Sequence, residues 1–255
     1  ESVRKRVITA MQAVAKPVVA LFLGTKPEQK HEGNVWLASS LAEAAHLAVM
    51  LASVEEIAAA QPSVIGKKIL GLYAGGTLAA EAAMLLAEQI NAKTDSKHDR
   101  GIMLHAQGHT LIDLGDDAYT VGRPHPMIDP TSRSLEIQKI AHQPDIGVLL
   151  VDVVLGYGAC ADPATAVLEA VDKVRTARGA ENPLVVIATV TGTQQDPQPR
   201  AEQIDTLING DIVVMNTLQE AVLLAHHLIV RVPEPPHYPR NPLLDGVKVI
   251  NAGLR

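Results

Sequence analysis

The hydrophobic positions of this chain follow two alternating periods. Val3, Val7, Ile8, Met11 and Val14 recur at helical spacing, which predicts a helix over Glu1–Ala15. Pro17–Leu23 then reads as a strand, Gly24–Asn34 as a polar loop, and Ser40–Ala52 as a second helix. On this reading residues 1–60 hold a single strand between two helices. One strand cannot bury a sheet on both faces, so the segment is expected to be the end of a domain whose beginning lies elsewhere. The abrupt helical start and the strand-like Val247–Ile250 near the end both point to a fragment. Gln61-Pro62-Ser63 is the predicted linker.

From Lys67 the alternation becomes regular. Ile69–Tyr73 predicts a strand, and Gly75-Gly76-Thr77 turns it into a helix, Leu78–Ile90. Ile102–Leu104 and Leu111–Leu114 flank Ala106-Gln107-Gly108-His109, a hairpin-like pattern. Thr131 or Ser132 is expected to cap a helix reaching His142. Asp145–Leu155 is the most apolar stretch and is placed at the centre of a sheet. Asp162 and Pro163 suit the start of a helix ending near Ala177. A strand over Pro183–Val190, a helix from Pro199 or Arg200, a strand over Asp211–Met215 and a helix over Thr217–Leu228 follow. A Pro-rich crossing, Val232–Pro242, then leads to the terminal strand. Strands alternating with helices define an α/β protein with a doubly wound parallel sheet. Ligands of such sheets sit at the carboxyl ends of the strands. That edge would gather Gly75-Gly76-Thr77, the loop 115–130, the turn Gly156–Asp162 with Gly156 and Gly158, and Thr191-Gly192.

The loop is the richest candidate. It follows the strand ending in Asp113 and contains Asp116, Asp117, Arg123, His125 and Asp129, with Pro124 and Pro126 stiffening the backbone around the histidine. Long loops in compact domains tend to carry function. The competing reading is a solvated connection whose aspartates merely cap the next helix.

Composition narrows the classes. The 47% hydrophobic content with only 2% aromatic residues describes a core of small aliphatic side chains. A net charge of −6, without basic clusters, argues against a nucleic-acid surface. One cysteine, Cys160, excludes an internal disulfide and suits the cytoplasm. No run is long and apolar enough for a membrane span, and no metal-ligand spacing is present.

The blocks Lys16–Gly24 (KPVVALFLG), Leu72–Ala83 (LYAGGTLAAEAA), Asp113–Pro130 (DLGDDAYTVGRPHPMIDP) and Ala188–Pro197 (ATVTGTQQDP) resemble the FdrA proteins. These are relatives of the succinyl-CoA synthetases usually labelled acyl-CoA synthetases. The resemblance covers essentially the whole chain. It implies two consecutive CoA-ligase domains of flavodoxin-like topology. Residues 1–60 would end the first, residues 65–230 would form the second, and 231–255 would be the Pro-rich crossing and terminal strand. It also implies that coenzyme A and ATP are handled through N-terminal CoA-binding and ligase regions absent from this stretch. An oligomer or hetero-oligomer is implied too, and this stretch alone would be inactive.

Two departures from the succinyl-CoA synthetases stand out. Their phosphorylated histidine lies in a Gly-His-Ala-Gly loop, whereas the corresponding loop here reads Lys30-His31-Glu32-Gly33-Asn34. An ATP-grasp region has no counterpart in this sequence. Three roles remain open. In an acyl-CoA synthetase, His125 would be the phosphoryl acceptor, oriented by Asp116 or Asp129. The family association with allantoin breakdown instead implies a component of an oxamate carbamoyltransferase, with Arg123 and His125 gripping the anion. A non-catalytic architectural subunit is the third. As a site, Arg123 and His125 are expected to share a cleft with Gly75, Gly76 and the 156–162 turn.

Overall fold

The computed structural model describes residues 3–14, 16–95 and 97–230, so the Pro-rich crossing and the strand expected over Val247–Ile250 lie outside the described residues. The chain divides into two compact units at Gln61/Pro62.

The first unit comprises α1 (Val3–Gln12), β1 (Val18–Leu21), β2 (His31–Glu32), β3 (Val35–Ala38) and α2 (Leu41–Ala59). It corrects the single-strand expectation. β1 pairs in parallel with β3, and β2 pairs antiparallel with β3, giving a three-stranded sheet in the order β1-β3-β2. Gly33, at φ +62°, makes the tight turn between β2 and β3. Ile8, Ala20, Val35 and Leu37 form a core for this unit. β3 is only four residues long and fully buried, so it carries no alternation by which a sequence pattern reveals a strand. α2 starts at a reciprocal cap. Ser40 Oγ accepts from the Glu43 amide at 3.1 Å, and Glu43 accepts from the Ser39 amide at 2.7 Å. The helix continues past Ala52 to Ala59, as its alanine-rich end favours.

The second unit runs β4 (Lys68–Tyr73), α3 (Gly76–Gln89), β5 (Ile102–Ala106), β6 (His109–Asp113), α4 (Asp117–Thr120), α5 (Thr131–Lys139), β7 (Ile146–Val154), α6 (Pro163–Arg178), β8 (Val185–Thr191), α7 (Arg200–Asn209), β9 (Val213–Met215) and α8 (Leu218–Val230). Its six strands form a sheet in the order β5-β6-β4-β7-β8-β9. All neighbours are parallel except the β5–β6 hairpin. That hairpin turns through Gln107 and Gly108, both at positive φ, the conformation a two-residue turn needs. Setting aside β5, the order is the flavodoxin-like 2-1-3-4-5. Helices cover both faces. α3 packs on α8 on one side, and α5, α6 and α7 pack in sequence on the other.

β7 lies between β4 and β8, and every residue from Ile146 to Val153 is buried. Val151, Val153 and Leu155 join Ile137 of α5 and Val167 and Val171 of α6 in one cluster. The alternation of a strand therefore turns Asp152 to the opposite face. The start of α5 differs from expectation. Pro130 is its N-cap residue and contributes no side-chain bond, while the Asp129 carboxylate accepts the Thr131 amide at 2.9 Å.

Candidate functional site

The sheet reverses its winding between β4 and β7, the place where doubly wound folds leave a crevice at the carboxyl ends of their strands. β4 pairs with β7 only as far as Leu72↔Val151. Beyond that rung the Asp152 carbonyl accepts instead from Arg133 Nη1 of α5, at 2.6 Å, and Asp152 Oδ1 lies 3.2 Å from the same nitrogen. Asp152 is fully buried and Arg133 is 3% exposed. The aspartate also accepts from the Ala74 amide at 2.8 Å and the Gly75 amide at 2.7 Å. It thereby ties β7 to the turn that starts α3. Burial pulls the Arg133 guanidinium below its ordinary range, opposed by the negative charge of Asp152 and by Cys160. A buried pair of this kind holds together because each charge is matched and hydrogen-bonded.

The glycines serve this cluster. A Cβ on Gly76 would lie 2.6 Å from Asp113 Oδ2, one on Gly75 would lie 3.1 Å from Asp152 Oδ2, and one on Gly115 would lie 2.7 Å from His125 Nε2 and 2.9 Å from Asp113 Oδ1. Gly75, Gly76 and Gly115 are thus small because two carboxylates and an imidazole stand against them. Asp113 Oδ1 accepts the Gly115 amide at 2.7 Å. Burial raises the Asp113 carboxyl, with Asp116 and Asp152 adding to the rise; the Gly115 bond and His125 oppose it. Among the described residues, the amides of Gly76, Thr77 and Leu78 have no protein acceptor, as expected of the first turn of a helix.

His125 is half-buried, and its Nδ1 accepts from the Met127 amide at 3.2 Å. A neutral ring held this way carries its proton on Nε2, the nitrogen that faces Gly115 and Asp113. The geometry makes Nε2 a donor where the sequence reading has a phosphoryl acceptor. It also corrects the orienting role given to two aspartates. Asp116 accepts from the Ala118 amide at 2.8 Å and caps α4, while Asp129 binds the amide and hydroxyl of Thr131 at 2.9 and 2.6 Å. Those two bonds hold the Asp129 carboxyl below its ordinary range, the hydroxyl first. Short local caps outcompete a longer reach to the ring, so the Met127 backbone orients it instead.

The remaining predicted residues divide. The Cys160 amide donates to Met127 O at 2.7 Å, which joins the 156–162 turn to the His125 loop. Gly156 in that turn donates its amide to Gln198 Oε1 at 3.0 Å, and Gln198 Nε2 donates to Cys160 O at 2.8 Å. The buried Gln198 therefore fills the turn, and Gly158 takes a positive φ of 82° with open space beside it. Thr191 is exposed at the end of β8, and Gly192 sits where a Cβ would strike Leu155. Thr77 is exposed at the second position of α3. Arg123 stands apart. It is exposed, and no described contact links its guanidinium to Gly75, Gly76 or the 156–162 turn. In the first unit, His31 packs on Trp36 with ring centroids 5.1 Å apart.

Sequence reasoning missed Arg133 and Asp152. The signal for Asp152 was present, since one carboxylate inside the aliphatic run Ile146–Val154 must have partners when that strand is central. Among the described residues no group of three or more His, Cys, Asp or Glu is placed to hold a metal ion. No described helix is long and apolar enough to cross a membrane.

A mostly parallel doubly wound sheet with a polar cluster at its switch point defines an α/β protein of the doubly wound class. The CoA-ligase family model matches residues 72–228, and the chain belongs to that family. A curated relative, the uncharacterized protein YahF of Escherichia coli strain K12, is 30% identical over 252 residues. That alignment covers 90% of this chain and 48% of the relative, so the chain spans about half the length of the curated relative it matches. Among solved structures, the dinucleotide-forming acetyl-coenzyme A synthetase 1 of Candidatus Korarchaeum cryptofilum is similar over 76% of this chain and 38% of its own, at 15% identity and a TM-score of 0.46. The same figures hold for its complex with phosphate and ADP and for its apo form.

Proposed function

We propose that this chain is the ligase portion of an FdrA-type acyl-CoA synthetase that releases a nucleoside diphosphate, with its chemistry at the β4–β7 switch point. One observation carries the reading. The CoA-ligase match, residues 72–228, begins at the end of β4 and includes Asp113, His125, Arg133 and Asp152. In this reading the free amides at the start of α3 receive the anionic end of an acyl phosphate. His125 Nε2–H donates to an oxygen of the same group. Attack by the thiol of coenzyme A forms the S–C bond, breaks the C–O bond to phosphate, and delivers the thiol proton to Asp113 or to the departing phosphate. Residues 1–60 are proposed as the end of a preceding ligase domain. Coenzyme A and ATP would be substrates brought by further regions or partner subunits, in a cytoplasmic assembly.

The test uses the full-length protein with ATP, coenzyme A and a panel of small carboxylic acids, followed by ADP release. Acid- and CoA-dependent ADP formation is expected, reduced about a hundredfold or more by His125→Asn as the hydrogen bond from Nε2 to the reacting group is lost. Carbamoyl transfer from carbamoyl phosphate to oxamate without CoA-dependent ADP release would replace this reading.

A further inference from the structure

Two residues before His125, with Pro124 between them, Arg123 lines a separate open hollow of about 410 Å³ against the outer face of α5. Its other walls include Ser132, Leu135, Glu136, Lys139 and His142. The chemistry of this hollow is lopsided. Lys139 Nζ bonds both carboxylate oxygens of Glu136 at 2.7 Å, so that acid is already matched. No described hydrogen bond or ion pair engages the Arg123 guanidinium or the His142 ring. The wall also presents Leu135 at 52% exposure. Ser132 Oγ, buried and without a partner, belongs to the same lining.

We propose that this hollow is a binding site for a nucleotide-type phosphate, with the phosphate on Arg123 and the flat body on Leu135. The size lies within the range of small-molecule sites, roughly 300–1,000 Å³. A guanidinium can grip two phosphate oxygens at once. His142 adds a ring donor, and the Lys139–Glu136 pair stays matched, so its carboxylate does not oppose the arriving anion. An apolar wall with a few convergent polar groups suits a planar base and its phosphate better than a bare inorganic ion. Arg123, which the sequence marks as an anion grip, keeps that role away from the strand ends. The site is independent of any reaction at His125.

Isothermal titration of the full chain with ADP tests the assignment directly. Saturable binding of about one ADP per chain is expected, with a dissociation constant below about 1 mM. Arg123→Ala should weaken it about tenfold or more, the scale of one charge-assisted contact. Lys93→Ala, an exposed cation elsewhere on the unit, should leave it unchanged. The Arg123 side chain makes no described bond, so the variant should fold, which its thermal transition verifies. Absent saturation, an unaltered constant in Arg123→Ala, or equal losses in both variants would overturn the proposal. Inorganic phosphate binding as tightly as ADP would overturn the nucleotide-type assignment.

Discussion

Asp152 shows how one side chain organises the strand-end edge. Its carboxylate holds two backbone amides and a buried guanidinium. Asp152→Ala should therefore destabilise the second unit by about 3–5 kcal/mol, because it strands Arg133 as an unmatched buried charge. Urea unfolding would measure it, and a loss under about 1 kcal/mol would mean that water replaces the carboxylate. The glycines make a second prediction at this scale. A methyl at Gly76 would stand 2.6 Å from Asp113 Oδ2, so Gly76→Ala should cost about 1–3 kcal/mol as an overpacked site. Alanine normally favours a helix over glycine, so a stabilised variant would show that Asp113 moves aside freely.

Whole elements depend on how their ends are closed. α6 begins at Asp162, whose Oδ1 accepts from the Thr165 amide at 3.2 Å, with Pro163 at its first position. Asp162→Ala should lower stability by about 1 kcal/mol, visible as a shifted denaturation midpoint with an unchanged slope. The same helix start positions Cys160, whose amide anchors the His125 loop through Met127. If that link matters, amide exchange in residues 123–129 should quicken in Asp162→Ala ahead of exchange in β7. Equal protection in both proteins would separate the cap from the loop.

For the molecule as a whole, two titrating groups pull stability in opposite directions. His109 begins β6 at 5% exposure and accepts the Ile69 amide at 3.0 Å through Nδ1. Burial first, then Lys68 and His226, lowers its pKa from 6.5 to about 4. Below pH 6.5 the unfolded chain binds a proton that the folded chain refuses, so stability falls as pH drops toward 4. The slope from this group is at most about 1.4 kcal/mol per pH unit. Asp113 works the other way. Its raised carboxyl holds a proton longer when folded, so it adds stability as pH falls through the upper carboxylate range and loses it as pH rises. His109→Gln should flatten the decline between pH 6.5 and 4. An unchanged decline would place its source elsewhere.

What the sequence determined by itself was the order of elements in the second unit, apart from the short α4 inside the stretch read as a loop, and the burial of β7. Both follow from local periodicity: an aliphatic run with alternating helices around it has few ways to hide. The hairpin at Gln107-Gly108 and the Asp162-Pro163 helix start were legible because turns and caps are short-range chemistry. β3 was not, since four buried residues carry no alternation. The candidate site was read from the sequence as a place, the strand ends, but its contacts were not legible. Asp152 and Arg133 are nineteen residues apart in sequence, and only the parting of β4 from β7 lets an arginine of α5 enter between them. The role of Gly75 and Gly76 was likewise a tertiary decision. A glycine pair before a helix reads as room for an anion, and only the arrival of Asp113 and Asp152 from neighbouring strands shows that carboxylates take the places the missing Cβ atoms would fill. The separation of Arg123 from His125 came last, because two residues of one loop can serve different walls once packing has chosen which way each faces.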